Sequence, residues 1–324
     1  MKKIIYPDTH LTNPAKSWTS RLYQTETDLE HMLNLIVEGR SHTDDWHYPH
    51  VGDLVFWFFM ILCHLDPKEH IRLWHNPDGR LVAYAMLGED PSFDWQVLPG
   101  YEWLGIEQEA LDWACLKLAE LRDDDPKTWG GKLVSGSRQD NQPRIDFLEK
   151  HGFYQGGELS EVNMLCRLDG EIPTPVIPSG FELRSFAGGA EITSRAEAQR
   201  VVWHPWTVGN VTDEDYSVFM HLPGYDRELD VVAVAPDGVV AAYVNGWVDP
   251  LNRVGDFGPV GALPAYRRQG LTKAVLLECL RRLQQQGMQR VSVSTTVTNI
   301  PAMRLYESVG FSVVNQYNEY VRDG

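Results

Sequence analysis

The chain has 324 residues, 43% of them hydrophobic and 23% charged, which is the composition of a polypeptide that buries a core, and its length suits two domains better than one. A formal net charge of −16 repels nucleic acid and anionic lipid headgroups, and the longest apolar stretch, residues 54–65, is too short to cross a bilayer. Four scattered cysteines without a CxxC pair, and an N-terminus without a signal-peptide run, lead us to expect buried thiols in a reducing cytoplasm.

In chain order, SHTDDWHYPH (41–50) reads as a polar surface loop whose His42, His47 and His50 have no helix to fix ligand geometry, so no metal is expected. LVFWFFMILCHL (54–65) reads as a buried helix whose aromatics could alternatively line an acceptor pocket or cover the partner domain. RLWHNPDGRLVAYAML (72–87) is a hairpin signature around Pro-Asp-Gly, LPGYEWLGIEQEALDWACLKL (from 98) a strand-to-helix junction, and NQPRIDFLEKHGF (141–153) a helix ending at Gly-Phe.

DGEIPTPVIPSG (169–180) packs three prolines into six residues, so neither helix nor central strand continues through it. It is expected to link a domain at 1–168 to one at 181–324.

The second half reads as a strand (181–186), helices (about 191–203 and 213–221), a hairpin (229–248), and a strand (about 254–263). A helix (271–286), a strand (290–297), a helix (301–309) and terminal strands follow. Helices among mostly antiparallel strands suggest α+β architecture.

Three segments of the first half return in order in the second. The hairpin matches VVAVAPDGVVAAYVNG (231–246), the junction matches LPAYRRQGLTKAVLLECLRRL (from 263), and the Gly-Phe helix matches NIPAMRLYESVGF (299–311), at offsets of 159, 165 and 158 residues. Ile106, Ala110, Leu111, Ala114, Cys115 and Leu118 fall on Leu271, Val275, Leu276, Cys279, Leu280 and Leu283, all apolar at helical spacing. Ordered matches of this kind argue for a duplicated domain.

The segment with chemistry in it is GPVGALPAYRRQGLTKAVLLECLRRL (258–283). A strand ends near Pro264, a turn rich in arginine and glycine follows, and the N-terminus of a helix offers N–H groups without intrahelical partners. Gly270 allows close approach to the backbone, while Arg267, Arg268 and the helix dipole favour a pyrophosphate. Residues 267–290 carry a net +5, whereas the matching residues 102–125 carry −6, with Glu102 at the position of Arg267. The retained anion site therefore belongs to the second half.

This segment resembles motif A of the GNAT superfamily of acyl-CoA-dependent N-acyltransferases, and NIPAMRLYESVGF resembles its motif B. The resemblance covers about 181–324, and 1–167 more faintly; tandem members with one degenerate half are similar in plan. It implies two tandem domains, each a mixed, mostly antiparallel sheet flanked by helices. In the second, the backbone of Val260, Gly261 and Ala262 would pair with the pantetheine arm of acetyl-CoA. Arg267, Arg268, Gln269, Gly270, Leu271 and Thr272 would cradle its pyrophosphate, Asn299 would contact it, and Tyr306 would be the general acid. Thr272 departs from the usual Gly or Ala. Many relatives carry Glu at the position of Gly258, so the base is open: Asp256, on the same strand face, or Tyr216, His204, Asp213 or Asp215.

The resemblance implies acetyl transfer to a primary amine of a small molecule by direct attack, since Cys279 falls on a helical core face. Acidic surroundings suit a cationic acceptor. Competing readings are a protein N-acetyltransferase and a non-catalytic acyl-CoA-binding module. No nucleic acid or membrane partner is expected, and the chain would be a monomer or homodimer. Leu148 stands where Tyr306 does, so the first half is expected to bind no CoA productively.

Overall fold

The computed structural model describes residues 17–43, 46–89, 91–205 and 209–323. The chain forms two compact units, each discontinuous in sequence. Unit 1 comprises Met1–His50, His64–Glu161 and Asn315–Gly324; unit 2 comprises Val51–Cys63 and Val162–Val314. Each unit combines helices with a mixed, mostly antiparallel sheet, as α+β architecture requires.

In unit 1, strands β1 (Thr19–Leu22), β2 (Ile71–His75), β3 (Leu81–Gly88) and β4 (Ser92–Val97) pair antiparallel in sequence order. β5 (Leu133–Arg138) joins β4 in parallel, and β12 (Ser312–Arg322) joins β5 antiparallel. Every residue of β3 but its terminal glycine is buried, so LVAYAML carries apolar side chains on both faces. Helices α1 (Glu26–His42), α3 (Pro67–His70), α4 (Ile106–Asp124), α5 (Pro126–Trp129) and α6 (Gln142–Lys150) belong to this unit.

In unit 2, β7 (Glu182–Ser185), β8 (Asp230–Val234), β9 (Val240–Asp249) and β10 (Val254–Ala262) form an antiparallel run, and β11 (Arg290–Thr296) joins β10 in parallel. The end of β6 (Tyr154–Arg167) lies beside β11. Helix α9 (Leu271–Gln285) buries Leu271, Val275, Leu276, Cys279, Leu280 and Leu283, the face expected from the repeat. Helices α7 (Ile192–Trp203), α8 (Asp213–Phe219) and α10 (Ile300–Glu307) complete the order read from sequence, and the terminal strands are one strand, β12.

The repeat is visible in backbone detail. Both Pro-Asp-Gly hairpins carry a register shift next to the turn, at Trp74/His75 and at Ala233/Val234. Trp103 and Arg268, 165 residues apart, both have φ of +61°. Residues 41–50 differ from a surface loop. Ser41 and His42 end α1, His50 is buried, and His47 Nε2 lies 3.2 Å from Glu102 Oε1. The polar letters hid this because those contacts come from residues far along the chain. Residues 44 and 45 lie outside the described residues.

The helix expected at 54–65 is α2 (Val51–His64), and its residues up to Cys63 belong to unit 2. Gly52 admits Trp247, whose ring occupies the space a Cβ would need, and Phe59 lies 4.9 Å from Phe219 between ring centroids. Among the described residues no helix is long and apolar enough to cross a membrane.

Candidate active site

All the site residues expected from sequence lie in unit 2. β10 runs in parallel register with β11 from Val254↔Arg290 to Phe257↔Val293 and no further, while it stays paired with β9 as far as Ala262↔Ala242. The register on the β9 side shifts between Phe257 and Val260, around Pro259, which has no N–H to give a ladder. The backbone of Val260–Ala262 on the β11 side is thus left without a strand partner, open to an extended ligand.

Beyond Ala262 the chain turns through Arg268 and Gly270, whose φ is +81°, and α9 begins at Leu271 with no side-chain cap. Left-handed residues at a helix start gather N–H groups into an anion-binding concavity. Arg267, Arg268, Gln269 and Gly270 are exposed, Thr272 is half-buried, and no atom lies within 4 Å of a Cβ placed on Gly270. Arg267 Nε donates to Ala262 O at 3.1 Å and Gln269 Nε2 to Ala265 O at 3.4 Å, holding the turn against the strand end. Leu271 is buried and anchors the helix.

Asn299 caps α10, its Oδ1 accepting from Ala302 N at 3.3 Å while its Nδ2 donates to Thr295 Oγ1 at 3.2 Å. Tyr306, on the same helix, is buried, and its ring centroid lies 5.9 Å from that of Phe311. Burial raises its phenol well above the ordinary tyrosine value, and the charge of Asp256 and the neighbouring Tyr243 raise it further.

Asp256 pairs with Ser292 across the parallel register, is buried, and accepts from Ser292 Oγ at 2.5 Å. A Cβ placed on Gly258 would find Asp256 Oδ2 at 3.8 Å and nothing closer. The Asp256 carboxylate therefore stands beside Gly258. The other acids considered are engaged elsewhere. Asp215 caps α8 through the Thr212 backbone, Asp213 accepts from Thr193 Oγ1 at 2.6 Å, and Tyr216 Oη donates to Asp230 at 2.6 Å. Cys279 is buried, and burial pushes its thiol well above the ordinary value, contrary to what a nucleophile needs.

Sequence reasoning missed the polar cluster beneath this site. Arg195 and Asp230 are both fully buried, 3.5 Å apart. Arg195 Nη2 donates to Asn245 Oδ1 at 2.6 Å, and its guanidinium lies 3.6 Å from the Tyr243 ring centroid. Burial raises Tyr243 to about 12. Trp203 Nε1 donates to Tyr243 Oη at 3.1 Å. The partners span residues 195–245, and only the strand register, invisible in sequence, unites them. Beside Pro259, Phe56, Phe59, Val211, Tyr216 and Phe219 gather with Gln199 and leave no room for a water molecule between them.

Unit 1 has the same layout with its openings filled from within. β4 and β5 share only the Ser92↔Val134 register, and into the gap α6 sends Arg144, at the repeat position of Ala302. Arg144 Nη1 donates to Trp95 O at 3.1 Å, Nε to Gly136 O at 2.8 Å, and Nη2 to Asp94 Oδ1 at 2.5 Å. Tyr48 Oη donates to Val97 O at 2.5 Å. At the start of α4, the Trp103 N–H donates to Glu107 Oε1 at 2.7 Å, so a carboxylate occupies the turn that is open in unit 2.

Residues 196–311 match the acetyltransferase (GNAT) family model. Relatives include mycothiol acetyltransferases of Arthrobacter sp. (strain FB24), 27% identical with 72% of this chain and 71% of that protein covered, and of Actinosynnema mirum, 28% identical with 75% of each covered. The GCN5-related N-acetyltransferase from Sphaerobacter thermophilus superposes with TM-score 0.64 at 21% identity over 96% of each chain. A tandem GNAT protein from the clavulanic acid biosynthesis pathway does so with TM-score 0.64 at 14% identity, over 94% of this chain and 97% of that one. Residues 196–311 thus match a GNAT acetyltransferase domain, and the chain as a whole shares the fold of a tandem GNAT protein. It is an acyltransferase, of a family that uses acetyl-CoA as acyl donor.

Proposed function

We propose that residues 181–324 form the catalytic domain of an N-acetyltransferase that moves an acetyl group from acetyl-CoA to a primary amine of a small molecule. Residues 1–168 would be its degenerate copy, joined by the linker at 169–180. The observation that carries this reading is the parting of β10 from β11 after Phe257, with the uncapped start of α9 at one end of the opened strand and Asp256 at the other.

Acetyl-CoA supplies a thioester, whose carbonyl an amine can attack. The backbone groups of Val260, Gly261 and Ala262 bind the pantetheine amides. Arg267, Arg268, Gln269, Gly270, Leu271 and Thr272 present N–H groups and two guanidinium groups to the pyrophosphate, with Asn299 flanking. Tyr306 Oη delivers its proton to the departing sulfur. Asp256 Oδ2 takes a proton from the bound ammonium, directly or through water, so that the neutral amine attacks, with Ser292 orienting the carboxylate. Phe56, Phe59 and Phe219 bound the acceptor side with apolar surface. The relatives' name, mycothiol acetyltransferase, supports a small-molecule acceptor. We place the enzyme in the cytoplasm, as a monomer or homodimer.

The test is thiol release from acetyl-CoA across a panel of small primary amines, ammonium-bearing ones included, beside calorimetry with acetyl-CoA. The reading expects binding and turnover with at least one amine. Acetyl-CoA binding without turnover on any amine, and no loss in Tyr306→Phe, would overturn it.

A further inference from the structure

The peptide unit at which β10 leaves β11 is held by a side chain of β9. Gly258 and Pro259 are paired in neither register: the ladder with β11 ends at Phe257↔Val293, and that with β9 passes from Phe257↔Gly246 to Val260↔Val244. Three steps along β10 thus face two along β9, which makes a bulge. Pro259 has no N–H for a ladder, and the Gly258 carbonyl accepts from Trp247 Nε1 at 2.6 Å.

Trp247 has little room to move. It pairs with Asp256 across the β9–β10 register, which places both side chains on one face of the sheet. The residue is 2% exposed; a Cβ on Gly52 of α2 would collide with its Cγ, and the Phe219 ring of α8 meets it edge-on, 5.7 Å between centroids. A buried indole N–H needs an acceptor. With the ring so held, the Gly258 carbonyl is that acceptor and is drawn toward the face of the sheet.

Unit 1 parts its strands by other means. At the hairpin offset of 159 residues Gly88 stands where Trp247 does, so the position carries no indole. Arg144 instead bridges β4 and β5 through Trp95 O and Gly136 O, and fills the gap that it spans. Ala302, at the matching position of α10, has no group that could do either. In unit 2 the parting is therefore held from the face of the sheet, not from within the gap.

We propose that Trp247 is a positioning residue for the acyl donor. Its N–H keeps the Gly258 carbonyl out of the ladder with β11, and so keeps the Val260–Ala262 backbone free to pair with the pantetheine arm. The proposal rests on the donor site proposed for unit 2. The turn at Arg267–Gly270, pinned separately by Arg267 Nε on Ala262 O, does not depend on the indole.

The test is calorimetric titration of the full chain, wild type and Trp247→Phe, with acetyl-CoA and with ADP, which keeps a pyrophosphate and lacks the pantetheine arm. Phenylalanine keeps an aromatic ring beside Phe219 and removes the N–H. We expect acetyl-CoA binding at least tenfold weaker in the variant and ADP binding within twofold of wild type. Steady-state kinetics should agree, with KM for acetyl-CoA raised and kcat within a few-fold of wild type. Acetyl-CoA affinity within twofold of wild type overturns the proposal, and so does an equal loss for both ligands, which would mean a general disturbance of unit 2. Failure of the wild type itself to bind acetyl-CoA overturns the donor site, a different result. Should Trp247→Phe fail to fold, a benzothiophene in place of the Trp247 indole, which keeps its shape and lacks the N–H, decides on the same two ratios.

Discussion

The ring of Tyr243 lies directly beneath Gly261: a Cβ on the glycine would stand 2.5 Å from both Cζ and Oη of the tyrosine. Tyr243 cannot easily withdraw, because Arg195 stacks on its ring and Trp203 Nε1 holds its hydroxyl. Gly261→Ala must therefore lift β10 off its support. Overpacking of this kind costs about 1–3 kcal/mol. We expect a lower melting temperature and at least tenfold weaker acetyl-CoA binding by calorimetry; an unchanged affinity would separate Gly261 from the donor site.

Tyr306→Phe keeps the ring against Phe311 and removes only the proton. Losing a general acid costs about 10²–10⁴ in rate. The variant should lose at least a hundredfold in kcat with acetyl-CoA affinity within about twofold of wild type, measured by thiol release and calorimetry. A kcat within a few-fold of wild type would assign protonation of the thiolate to another group.

The same residue sets an expectation for pH. The competent form of the acid is the protonated phenol, and burial, then Asp256 and Tyr243, raise its pKa above 10.0. The proton is therefore retained as pH climbs through the ordinary tyrosine range. The pH profile of kcat should rise as the attacking amine and its base lose protons and should show no tyrosine-dependent descent up to pH about 10. A descending limb at or below that value, absent in Tyr306→Phe, would contradict the buried acid.

Arg195→Met leaves the fully buried Asp230 without its cation, though Tyr216 and Tyr225 still donate to it at 2.6 and 2.9 Å. Removing one partner of a buried ion pair costs about 3–5 kcal/mol. Denaturant unfolding should show a loss of that order, and Arg195→Met with Asp230→Asn should recover part of it. Equal losses in the single and double variants would mean that the pair is not coupled.

Much of this was legible in the letters. The spacing of apolar residues gave α9 its buried face, Pro-Asp-Gly marked both hairpins, and RRQGLT after a strand marked the exposed turn before α9. The duplication was legible too, down to the inverted charge at Glu102. What fills the first half's openings was not. Arg144 reads as one more basic residue on an amphipathic helix until the gap between β4 and β5 is seen to receive it. Glu107 reads as a helix-start acid that suits the dipole, and only the fold shows it turned back onto Trp103. Asp256 was legible as a strand acid, whereas its Ser292 partner depends on a parallel register that sequence separation hides. The placing of α2 in unit 2 and of Asn315–Gly324 in unit 1 likewise depends on tertiary contacts rather than on local pattern.

The most direct test of which half holds the acyl donor uses two glycines at matched positions. Gly105 and Gly270 precede α4 and α9 with φ of +128° and +81°, so a side chain strains the backbone in both. A glutamate at position 270 also places a carboxylate where the pyrophosphate is expected. Calorimetric titration of acetyl-CoA into Gly270→Glu should show binding lost, and into Gly105→Glu an affinity close to wild type. Binding retained in Gly270→Glu and lost in Gly105→Glu would contradict the account.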